Sequence, residues 1–161
     1  MKTVRITLCI ILLTSIVATT YAQTSDAEAE AIVNLLGVQK REAINQMVFV
    51  PKKDSAAFWK IYDEYQAQNK KTARDRIQLY ERTAMAYQHM TPGTADSLAT
   101  KYFDNRIGQE KMLQDYYKKI KSATNPVVAF QFYQAEVYLL TQIRAQIMSQ
   151  IPAYGVLVKK H

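Results

Sequence analysis

Cysteine is almost missing from this chain: Cys9 is the only one in 161 residues, and glycine and proline occur four times each. A single cysteine cannot build a disulfide framework, and with two histidines, His89 and His161, there is little from which to assemble a metal or nucleophilic site. Scarce glycine and proline leave long stretches without a breaker, the condition for long helices. Gly93 and Gly155 stand alone as turn residues and make no phosphate-binding loop. No strand alternation and no internal repeat is evident.

The N-terminus carries Lys2 and Arg5, an uncharged run from Ile6 to Ala18, and Thr20-Tyr21-Ala22 before Gln23. Those zones are the basic, apolar and small-residue parts of a secretory signal peptide. The run is too short for a membrane anchor, because a spanning helix needs roughly 20 apolar residues. Cys9 lies inside the run, so a lipid-attachment cysteine at the cleavage site is missing and Cys9 departs with the peptide. The expected organisation is a signal peptide over residues 1–22 and one all-helical domain over residues 23–161, in the periplasm. Cleavage lowers the basic count from 21 to 19 against 14 acids, a charge of about +5. For an exported chain this surplus points to anionic membrane surfaces, acidic glycans or acidic and unfolded polypeptides rather than nucleic acid.

Apolar spacing and start signals give four helices. Ala27 to Val48 carries Ile32, Leu35, Leu36, Ile44, Met47 and Val48 at helical intervals, interrupted by Gly37. After Pro51, Asp54 is placed as N-cap of a long helix from Ser55 to His89 whose stripe lapses between Gln66 and Thr72. The lapse predicts a middle that is exposed or bent. Thr91-Pro92 and Asn125-Pro126 open the third and fourth helices, each a capping residue followed by proline at the first helical position. The fourth shows two apolar stripes, one through Val128, Phe132, Ala135 and Leu139, the other through Phe130, Tyr133, Val137 and Leu140. Such a helix needs cover on two sides, from its own chain or from a second subunit. The expected fold class is all-α, with elongated antiparallel hairpins in a curved bundle, dimeric.

Chemistry-bearing residues are sparse. Asp63, Glu64, Asp75, Glu81, Asp104, Glu110, Asp115 and Glu136 are scattered, and no pair stands out for acid and base work. No enzyme activity, metal or cofactor is expected. The aromatic residues are more telling. Phe58, Trp59, Tyr62, Tyr65, Phe130, Phe132 and Tyr133 cluster near the starts of two helices and are assigned to the core. Lys60, Lys70, Lys71, Arg74 and Arg76 make the second helix basic and are the candidate client-binding cations, with neighbouring rings as apolar contacts.

Phe58-Trp59-Lys60-Ile61-Tyr62-Asp63-Glu64-Tyr65, and the stretch from Asn125-Pro126 through Phe130, Phe132, Tyr133 and Glu136 to Ile151-Pro152, resemble the small exported helical proteins related to Spy and CpxP. The resemblance implies a curved, dimeric periplasmic cradle that acts without ATP, as a chaperone for unfolded chains or as an envelope-stress binding protein. The Leu-Thr-x-x-Gln motif of that group is broken here, where Leu140-Thr141-Gln142-Ile143-Arg144 ends in arginine. Its alternatives are a signalling accessory docked on a membrane stress sensor or anti-sigma factor, and a metal-responsive sensor. Processing is directly testable: protein recovered after export should begin at Gln23, and an intact mass that retains residues 1–22 would overturn the export assignment.

Overall fold

The structure, a computed structural model, describes residues 39–150. The N-terminal apolar run, most of the first expected helix and the Ile151-Pro152 ending lie outside the described residues. Within them the chain is all-helical: α1 over 39–47, α2 Ser55–Ala86 extended by a 3-10 turn Tyr87–His89, α3 Pro92–Ala123 and α4 Pro126–Gln150. No strand occurs among the described residues.

Helix boundaries follow local chemistry. No Gly or Pro interrupts Ser55–Ala86, so α2 runs unbroken for 32 residues, about 48 Å at 1.5 Å per residue. Thr91 caps α3 by accepting from the Thr94 N–H at 3.2 Å, with Pro92 at the first position. Asn125 caps α4 through Oδ1, which accepts from the N–H groups of Val127 and Val128 at 2.9 and 3.1 Å. Asp54 holds the N-cap position of α2 but its side chain makes no capping hydrogen bond. There the turn is closed by backbone alone, from Asp54 N–H to the Pro51 carbonyl at 2.9 Å.

Two short connections fold α2, α3 and α4 into consecutive antiparallel hairpins, leaving α2 and α4 parallel to each other. α1 closes over both from outside: its Phe49-side end hydrogen-bonds Gln131 on α4, and Arg41 pairs with Asp63 on α2 while lying over the Trp59 ring at 4.4 Å. Where all four helices meet, the core is aromatic. Phe58, Tyr62, Tyr65, Tyr116 and Phe132 are buried there with Ile44, Val48, Leu113 and Ile120. Phe132 sits edge-on to Tyr65 at 5.4 Å and to Tyr62 at 6.2 Å, and Tyr65 meets Tyr116 at 5.3 Å. Edge-to-face pairing of this kind adds directionality to simple area burial.

The expected lapse in α2 is exposed at Ala67, Gln68, Lys70 and Lys71, while the buried stripe passes through it on a polar residue, Asn69. Asn69 and Arg76 stay buried, Arg76 donates to Oε1 of buried Gln109 on α3, and Asn105 donates to the Thr72 carbonyl at 3.2 Å. Beyond this belt α2 and α3 pack through Leu79, Leu98 and the Tyr80–Tyr102 ring pair at 5.8 Å. Thr83 spends its hydroxyl proton on the Leu79 carbonyl, so Tyr102 is the donor in the 2.8 Å contact between their oxygens.

Helix phase divides the two rings that flank Gln131. Phe132 is fully buried, whereas Phe130, assigned to the core from sequence, is 55% exposed. The residues lie about 200° apart around α4, so no single neighbour covers both. Phe132→Ala should therefore cost about 3–5 kcal/mol and Phe130→Ala under about 1 kcal/mol, read from urea melts. Equal losses would mean that Phe130 is buried as well.

Candidate binding surface

Glu136 is the only charged residue of α4 before Arg144, and it points inward one turn after Phe132. Its carboxylate is fully buried and collects three donors from two other helices. Lys40 of α1 approaches Oε2 at 2.8 Å, Tyr65 of α2 donates to Oε2 at 2.7 Å and Tyr62 donates to Oε1 at 3.3 Å. Gln66 donates to the Tyr62 hydroxyl at 2.9 Å and accepts from Lys40 at 3.4 Å, closing the network. Lys40 is itself buried. Sequence reading left Glu136 among scattered carboxylates and passed over Lys40. The signal was available for Glu136, a lone acid at i+4 from Phe132 and i−3 from Leu139 on an apolar stripe. For Lys40 no local signal existed.

Burial first, and then the Glu136 charge, push the Tyr62 and Tyr65 hydroxyls well above the ordinary tyrosine range. The node ties three helices together through one carboxylate.

The second-helix cations divide by helix face. Lys60, Lys70 and Lys71 are exposed, as expected, and Arg74 is half-buried. Arg76 is corrected outright: it belongs to the core belt with Gln109, and burial, with Arg144 nearby, lowers its basicity. It cannot meet a client. Among the assigned aromatic residues, Phe58, Tyr62, Tyr65 and Phe132 are core, Trp59 and Tyr133 are half-buried, and Phe130 is at the surface.

An open groove lies on the outer side of α3 and α4, lined by Ile107, Tyr117, Phe130 and Tyr133, with Arg106, Lys111, Glu110 and Gln114 on its walls. Ile107 is 60% exposed. No α2 residue lines this groove. The basic run of α2 and this groove thus lie on separate surfaces, and the groove has different cations, Arg106 and Lys111, beside its apolar residues. Among the described residues no three His, Cys, Asp or Glu side chains gather in a way that would hold a metal ion. Comparison with family models, curated proteins and solved structures found no match in any of the three.

The buried phenols set a direction of pH dependence. In the unfolded chain Tyr62 and Tyr65 ionise near pH 10, whereas the fold keeps their protons above that value. Their contribution is complete below about pH 10 and is lost as pH rises beyond it, by about 1.4 kcal/mol per pH unit for each tyrosine. Tyr65→Phe should flatten that alkaline slope in urea melts by about this amount. An unchanged slope would show that the hydroxyl reaches solvent.

Proposed function

We propose that this is a non-catalytic binding protein of the exported, Spy/CpxP-like kind, which holds partly unfolded envelope polypeptides without ATP. The observation that carries this reading is the solvent-open groove of α3 and α4, where Ile107, Phe130 and Tyr133 lie beside Arg106 and Lys111. Exposed apolar surface of this type is costly to keep in water and marks a contact site. Aromatic rings beside cations suit many chains, since apolar segments fill the groove and acidic neighbours reach its walls. Glu110 tempers the positive charge and leaves the apolar contact as the main source of affinity. The resemblance in the Phe58 to Tyr65 and Asn125 to Ile151 stretches supports the same reading, as does the N-terminal export signal.

In this reading the buried Glu136 node and the aromatic core give the groove a rigid floor, so client capture requires no folding of the binder. Lys60, Lys70 and Lys71 serve long-range attraction, which salt screens over about 10 Å at 0.1 M. The groove supplies contact. A homodimer remains compatible with the proposal, each subunit offering its own groove.

Aggregation assays with several unrelated unfolding clients test the function, and Ile107→Ser tests the site. Loss of one buried Ile contact corresponds to about 1.5–3 kcal/mol, hence capture weakened by about tenfold or more with an unchanged melting temperature. Suppression confined to one client would favour docking on a specific sensor, and full activity in Ile107→Ser would remove the groove from the proposal.

A further inference from the structure

A second surface lies at the end of the bundle where α1 runs into α2 and α3 runs into α4. Phe49 projects from the first connection with 79% of its surface exposed, and Val127 from the first turn of α4 with 65%. They are neighbours, because the Phe49 N–H donates at 3.0 Å to Oε1 of Gln131, one helical turn beyond Val127. Exposed Lys52 and Lys53 follow Phe49 in its connection, and exposed Lys121 stands in the last turn of α3. Opposing charge is scarce. Asp54 is the only acid between Val48 and Tyr62, and none occurs between Tyr116 and Ala135. Neither α2 nor α4 carries an acidic residue in its first turn, so Asp54 at the α2 N-cap is the one acid set against Lys52, Lys53 and Lys121 at this end.

From this arrangement we propose that the Phe49–Val127 tip docks on an anionic lipid bilayer, with Lys52, Lys53 and Lys121 at the headgroups and the two apolar side chains below them. The inference does not depend on the proposed client groove. Shape favours a bilayer over a polypeptide: the side chains protrude from a helix end, and neither Phe49 nor Val127 lines the α3/α4 groove. A flat, deformable, negatively charged surface accepts such a protrusion, whereas a peptide binds into a concavity. Apolar insertion together with a basic patch supplies the two signals that peripheral attachment requires. Among the described residues no helix is long and apolar enough to cross a membrane, so the contact made by this end is with the surface.

Hydrogen exchange of the full chain with phosphatidylglycerol-containing vesicles, and with pure phosphatidylcholine vesicles, locates the contact. Amides of residues 48–54 and 124–131 should exchange about tenfold more slowly with the anionic vesicles only, and about 0.5 M salt should reverse this. The triple variant Lys52→Gln, Lys53→Gln, Lys121→Gln should lose the protection while keeping its circular dichroism melt, and Phe49→Ser should weaken it. Protection confined to the Ile6–Ala18 run would overturn the proposal, as would equal protection by phosphatidylcholine. The same holds if polyglutamate protects the tip as well as lipid does, or if protection grows with protein concentration alone, which would indicate a second copy.

Discussion

A carboxylate that no water reaches holds this bundle in register. Glu136 binds Lys40 of α1 and the hydroxyls of Tyr62 and Tyr65 of α2, so one side chain of α4 sets the position of two other helices. Desolvating an ion pair is expensive, and apolar replacements of similar volume are often as stable. What such a pair supplies is uniqueness. A helix sliding by one turn along an aromatic core finds other rings, but sliding from Glu136 leaves a buried charge without donors, at a cost of about 3–5 kcal/mol. The surrounding rings pack edge to face, Phe132 on Tyr65 and Tyr65 on Tyr116; the Tyr65 hydroxyl is committed to Glu136, whereas the Tyr116 hydroxyl is buried without a partner.

Away from that node the structure thins to the α2/α3 hairpin. Its central belt is polar, and Asn69 Oδ1 and Gln109 Nε2 are buried there without hydrogen-bond partners. Buried groups left in that condition cost stability. The outer half of the hairpin, held by Tyr80, Tyr102, Thr83 and Leu98, lacks the large buried cluster of the four-helix end and is less firmly seated. Local opening should start in the thin half and leave the aromatic end intact.

The two surfaces singled out here draw on that rigid end in different ways. Phe130 and Tyr133 reach the groove because Phe132 on the opposite side of α4 is locked into the core, which orients the whole helix. Phe49 is held at the tip because Val48 beside it is buried and its own amide is tied to Gln131. Alternation between a buried residue and an exposed neighbour is the shared device: packing of one places the other.

Much of the fold was legible from local chemistry. Thr91-Pro92 and Asn125-Pro126 mark helix starts because a side-chain oxygen and a missing N–H act within one turn, and an unbroken Ser55–Ala86 follows from the lack of Gly and Pro. The core roles of Phe58, Tyr62, Tyr65 and Phe132 follow from helical spacing. Tertiary structure alone decided that Arg76 is buried while Lys71 is exposed, that Phe130 faces water, and that Lys40 meets a carboxylate 96 positions further along the chain. Helix ends are settled by atoms within a few residues. The rotational phase of each helix, and therefore the identity of the surface it presents, is settled by neighbours distant in sequence.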